Sequence, residues 1–253
     1  MLFNSKELES EARGLFSPRR KLRRSVYLLP TLFTVGNIFF GFYALISTLV
    51  GDYDMAAMAI GIAVVLDGLD GRVARMANAT SDFGLQLDSL ADVVSFGVAP
   101  AVLLYTWGMQ DLGRLAQCSA FIFLICGAMR LARFNVQTSD LKSFAGLPIP
   151  AGAGFVAATV HFLKAPPPWP HFDLMLVVAT YVVSFLMIST LRYPSMKKLN
   201  LARGKSHLLV VLVALAVAGM IWYSQVALLL VAYTYAASGP FIRLLSALRR
   251  QSK

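Results

Sequence analysis

Five aspartates stand in the stretch DGLDGRVARMANATSDFGLQLDSLAD, residues 67–92, of a chain otherwise dominated by Leu, Val, Ala and Phe, and four of them fall in pairs at helical spacing. Asp67 and Asp70 are three positions apart, and Asp88 and Asp92 are four apart, so on helices each pair presents two carboxylates in one direction. Gly71 and Ala74 continue the face of the first pair, and Gly84 begins a four-residue repeat with Asp88 and Asp92. A carboxylate at the centre of a bilayer costs about 2.5–3.5 kcal/mol on insertion scales, and four together repel one another, so something cationic should lie between them. An all-oxygen donor set suits a hard divalent ion such as Mg²⁺, Mn²⁺ or Ca²⁺ rather than zinc, and His161, His171 and His207 all fall outside the stretch. Two ions shared by four carboxylates suit displacement at phosphorus: they neutralise phosphate oxygens, align the attack and stabilise the leaving group. Gly71 and Gly84 then leave room for a substrate against the helix backbones, and Arg75 is placed to pair with phosphate. Intramembrane aspartates also serve proton relays and ion pathways, and isolated Asp–Arg pairs can be purely structural.

The elements that must position these acids are transmembrane helices. The chain has 253 residues, a mean hydropathy of +0.65, 57% hydrophobic and 14% charged residues, outside the range of soluble domains. Apolar runs recur at roughly 29–50, 54–77, 83–107, 114–135, 148–164, 172–191, 207–223 and 225–245, most of them close to the ~20 residues that cross a bilayer. The expectation is an all-α polytopic membrane bundle of about eight helices. It divides into a basic N-terminal segment (1–28), a membrane domain (29–245) and a basic tail (246–253).

Charge supports that arrangement. Of the 23 Lys and Arg residues, only Arg114 and Lys164 fall on the side opposite the termini when eight helices are counted, which places both termini in the cytoplasm. The net charge of +10 therefore reports topology and attraction to anionic lipid, and calls for no nucleic-acid partner. The N-terminal segment lacks the apolar core of a cleavable signal, so the first helix is expected to remain. Cys118 and Cys126 sit within an apolar run and read as small hydrophobes rather than a disulfide or metal pair.

Between the second and third helices, Asn78, Thr80, Ser81 and Asp82 are turn and cap residues, which predicts a cytoplasmic hairpin whose two arms bring the acids together. The next cytoplasmic segment holds Arg130, Arg133, Asn135 and Lys142. These are candidates for an acceptor carboxylate or a donor phosphate, against the plain alternative of positive-inside charge. Pro148 and Pro150 fix the start of a fifth helix. KAPPPWPH, residues 164–171, reads as a stiff extended loop with Trp169 and His171 as interface anchors. Arg192, Lys197, Lys198, Arg203 and Lys205 read as a headgroup-binding cluster.

The spacing Asp67-x2-Asp70-Gly71-x2-Ala74-Arg75-x8-Gly84-x3-Asp88-x3-Asp92 resembles the signature of the CDP-alcohol phosphotransferases in full. That resemblance implies transfer of a phosphate-containing group from a CDP-linked donor to an alcohol, with release of CMP. It implies that Asp67, Asp70, Asp88 and Asp92 hold two divalent cations, Mg²⁺ or Mn²⁺. Asp67, Asp70, Gly71, Ala74, Arg75 and Gly84 would seat the CDP moiety, and Asp92 would double as general base.

The segments LPTLFTVGNIFFGFYAL (29–45), SFGVAPAVLLY (95–105), CGAMRLARFN (126–135) and FAGLPIPAGAG (144–154) are similar to bacterial and archaeal integral-membrane phosphatidylserine synthases, with Thr31 where relatives often carry Asn. The similarity implies CDP-diacylglycerol as donor, L-serine as acceptor, a homodimer, and an active site facing the cytoplasm at the cell membrane. Arg130, Arg133 and Asn135 become candidates for the acceptor or phosphate site. Glycerol 3-phosphate or an inositol compound is the alternative acceptor. An ion-coupled transporter is the alternative from another class, although the second half shows no repeat of the 67–92 pattern.

Overall fold

The computed structural model describes residues 18–76, 82–136, 144–193 and 224–251. Helices account for nearly all of it: α1 (Pro18–Leu49), α2 (Tyr53–Met76), α3 (Asp82–Asp92), α4 (Ala99–Leu104), α5 (Arg114–Val136), α6 (Ile149–Leu163), α7 (Phe172–Ile188) and α8 (Ser224–Gln251). Among the described residues three stretches, Thr31–Leu49, Asp82–Leu112 and Arg114–Val136, are long and apolar enough to cross a membrane, and Ile149–Leu163 and Phe172–Ile188 are shorter apolar helices. The chain is thus an all-helical integral membrane bundle. The expected seventh run, 207–223, and the turn residues Asn78, Thr80 and Ser81 lie outside the described residues, as do Lys142, Lys197, Lys198, Arg203 and Lys205.

Helices α3 and α4 belong to one rod, Asp82–Leu112, that does not keep a single helical pitch. Wider π turns occupy Val93–Val98 and Tyr105–Met109, and a 3₁₀ turn, Gln110–Leu112, ends it. Each π turn inserts an extra residue, so the faces before and after it are rotated relative to one another; such turns recur at functional sites. The first begins at the residue after Asp92.

Small side chains let the rods approach closely. α1 lies along α2 as its main partner, with Ala44, Ala56, Ala57, Ala59, Ile60 and Ala63 fully or nearly fully buried. Close approach of this kind, rather than exclusion from water, is what holds helices together in lipid. Many large apolar side chains point outward, Phe39, Phe42, Leu90, Phe121 and Phe185 among them, as a lipid-facing surface requires.

The remaining regular structure is a two-stranded antiparallel pair, β1 (Phe144–Ala145) with β2 (Arg192–Tyr193). Gly146 follows β1 at φ +83° with its backbone against the Met187 carbonyl, a conformation and a closeness that suit only glycine. Pro148 then caps α6 with Pro150 in its first turn, as expected. Buried Tyr193 donates its hydroxyl to the Ala236 carbonyl at 3.2 Å and packs its ring on Gly239, which docks α8 onto the strand pair. Both cysteines are free, Cys118 exposed and Cys126 buried.

Candidate active site

The acids converge. Asp67 on α2 and Asp88 and Asp92 on α3 each offer a carboxylate oxygen, and those oxygens all lie within 4.8 Å of one another. Asp70, one helical turn beyond Asp67, is buried and within electrostatic reach of Asp67 and Asp88. Three of the four predicted acids therefore form a compact donor set, and the fourth stands beside them. Carboxylates this close and this buried repel one another unless a cation is shared, and an all-oxygen cluster fits a hard divalent ion.

The two arms put the acids in register because the spacings work as expected. Asp67 and Asp70 follow one face of α2, while Asp88 and Asp92 are stacked one turn apart on α3. Asp82 stands in the first turn of α3, where a carboxylate complements the helix dipole. Gly84 is half-buried in α3. Gly71, Ala74 and Arg75 continue the α2 backbone, but their side chains lie outside the described part.

Arg130 of α5 comes to the same place. It is 9% exposed and within electrostatic reach of Asp92 and Asp67 and of Tyr235 from α8, and its guanidinium lies 5.6 Å from the centre of the Phe134 ring. Among the described residues no hydrogen bond or salt bridge takes up its planar fork of donors. The neighbouring candidates are occupied: Arg133 is exposed and donates to the Ile188 carbonyl at 3.3 Å, and Asn135 donates to Ser89 Oγ at 2.9 Å, tying α5 to α3.

Two further residues reach the acids from α1. Thr34 donates its hydroxyl to Asp70 Oδ2 at 2.5 Å, and Asn37 donates its amide to Asp92 Oδ1 at 3.4 Å. Both are buried. The sequence hides them because they stand singly in the apolar run LPTLFTVGNIFFGFYAL. The available signal was that Thr34, Asn37 and Gly41, at spacings of three and four, are the small or polar residues of one helical face.

Comparison with known proteins identifies the family. The family model for CDP-alcohol phosphatidyltransferase matches residues 27–186, which include all four acids and Arg130. A CDP-diacylglycerol--serine O-phosphatidyltransferase of Helicobacter pylori is 40% identical over 183 residues, covering 69% of this chain and 75% of its own length. The Bacillus subtilis protein of the same description is 37% identical over 170 residues, 67% of this chain and 92% of its own. An archaetidylserine synthase of Methanothermobacter thermautotrophicus is 36% identical over 172 residues, 67% of this chain and 71% of its own. The chain belongs to the CDP-alcohol phosphatidyltransferase family.

Proposed function

We propose that this chain transfers the phosphatidyl group of CDP-diacylglycerol to the hydroxyl of L-serine, giving phosphatidylserine and CMP. The observation that carries the reading is the convergence of Asp67, Asp88 and Asp92 beside the buried Arg130, in a chain similar over two thirds of its length to relatives described as serine phosphatidyltransferases. Asp92 accepts the proton of the serine hydroxyl as its oxygen bonds to the phosphorus that carries diacylglycerol. The anhydride bond from that phosphorus to the cytidylate oxygen breaks, and CMP leaves with the electron pair. Asp67, Asp70, Asp88 and Asp92 would hold two divalent cations, Mg²⁺ or Mn²⁺, which when bound supply charge neutralisation for the phosphate oxygens and the leaving group.

Arg130 offers a guanidinium fork to the serine carboxylate or a donor phosphate. A buried, pre-aimed cation discriminates best against an acceptor that lacks the matching anion. Gly71, Ala74, Arg75 and Gly84 fall to the CDP moiety by their place in the motif. Arg133 and Asn135, each already hydrogen-bonded within the bundle, contribute by holding α5 against its neighbours. The arrangement of Lys and Arg along the sequence supports eight spans, cytoplasmic termini and a site at the cytoplasmic face of the cell membrane. Donor acyl chains can then remain in lipid while serine arrives from water.

The direct test is CMP release by purified protein in detergent, with CDP-diacylglycerol and Mn²⁺ or Mg²⁺, comparing L-serine, glycerol 3-phosphate and inositol phosphate. Release that depends on serine and is abolished by EDTA is expected. Release with another alcohol alone would replace the acceptor, and silence with all three would favour a transporter.

A further inference from the structure

Asn37 is 0% exposed, yet its side-chain amide is only half used: the nitrogen donates to Asp92, and Oδ1 has no hydrogen-bond partner among the described residues. A buried orphan acceptor lowers stability, and a hydrophobic side chain of similar shape would remove the penalty. Positions that break such a rule tend to be held by function. The surroundings also seat Asn37 firmly. Ser95, itself fully buried, donates its hydroxyl to the Asn37 carbonyl at 2.8 Å. Its backbone comes so near α1 that a Cβ built on Gly41 would stand 2.7 Å from Ser95 Cα, closer than packed atoms tolerate. Ser95 belongs to the π turn that begins directly after Asp92. The strand of contacts therefore runs from α1 to the rod of Asp92 and back: Gly41 admits Ser95, Ser95 holds the Asn37 backbone, and the Asn37 amide holds Asp92.

We propose that Asn37, seated by Ser95 and Gly41, is a positioning residue that fixes the Asp92 carboxylate by one oxygen and leaves the other to face the acceptor. This rests on the reading of Asp92 as general base and adds what aims it. A donor is the needed feature, because an ionised carboxylate accepts hydrogen bonds and donates none. A misplacement of about 1 Å lowers rate on the order of 10²-fold while leaving ground-state binding largely intact. A residue kept only for folding would behave otherwise, since its loss would reduce stability.

The test replaces Asn37 by Leu in the full-length protein and measures kcat, the KM for serine and for CDP-diacylglycerol, and the thermal midpoint. The expected outcome is a fall in kcat of about 10–100-fold and both KM values within about threefold, with the midpoint little changed because removal of the orphan acceptor offsets loss of the amide donor to Asp92. A kcat within twofold of the parent overturns the proposal, and so does a loss of kcat that comes with a lowered midpoint. Should Asn37→Leu fail to fold, Ser95→Ala carries the test: a smaller kcat loss at constant KM is expected, and an unchanged kcat overturns it. Asp92→Asn measured alongside separates the two readings. If Asp92→Asn stays active, the base assignment has failed. If Asp92→Asn is inactive while Asn37→Leu turns over normally, only the positioning role has failed.

Discussion

The two ends of α2 treat their acids in opposite ways. At its start, Asp54 lies 2.5 Å from His161 Nδ1 of α6, and Asp52 just before it accepts the Met55 backbone N–H at 3.1 Å. Roughly 20 Å along the same helix, Asp67 faces Asp88 and Asp92, with Asp70 and Arg130 at its side. The first end is complete in itself: an acid beside an imidazole, and an acid capping a helix. The second gathers like charges, whose mutual repulsion a shared cation would relieve. In a membrane bundle, a satisfied acid indicates architecture and an unsatisfied group of acids indicates chemistry, because repulsion among them persists only where a ligand or a reaction rewards it.

The contrast is sharpest where one carboxylate of the cluster is removed. Asp88→Asn keeps shape and removes a charge and a metal-capable oxygen, so turnover should fall by on the order of 10²-fold or more, with the Mn²⁺ concentration for half-activity raised, in a titration of CMP release. Retained activity at unchanged Mn²⁺ demand would break the comparison. Arg130→Gln should be intermediate: loss of a charge-assisted contact worth roughly 1.5–3 kcal/mol predicts a rise of about 10–100-fold in the KM for serine or for the donor. Which of the two KM values moves decides which anion Arg130 meets. At the other end, His161→Gln should cost about 1–2 kcal/mol of stability and leave kcat and both KM values unchanged, as read by thermal denaturation and steady-state assay together.

Much of this contrast was legible in the sequence, and the parts that were not share a cause. Asp67, Asp70, Asp88 and Asp92 announced themselves because charge in an apolar chain is conspicuous and helical spacing assigns faces. Arg130 was visible as a cation in the next segment, but its separation from Arg133 and Asn135 was not. The three are nearly adjacent in sequence, and only packing shows that one is buried by the acids while the others are bonded to Ile188 and Ser89. Thr34 and Asn37 were hidden for the converse reason: uncharged and single, they leave the hydropathy of α1 almost unaltered. The π turn after Asp92 has no periodic signature in VVSFGV, since every residue but Ser95 is apolar or glycine; it lies where Ser95 packs closely against Gly41 of α1. The docking of α8 through Tyr193 was equally silent, because it links residues 43 positions apart.

The measurement that tests the account most directly is serine-dependent CMP release by the parent protein, Asp92→Asn and Asp54→Asn, purified and assayed side by side with CDP-diacylglycerol binding as a check on folding. Asp92→Asn is expected still to bind the donor but to lose about 10²–10⁴-fold in turnover, whereas Asp54→Asn is less stable and turns over normally. Near-normal release by Asp92→Asn, or an equal loss in both variants, would contradict it.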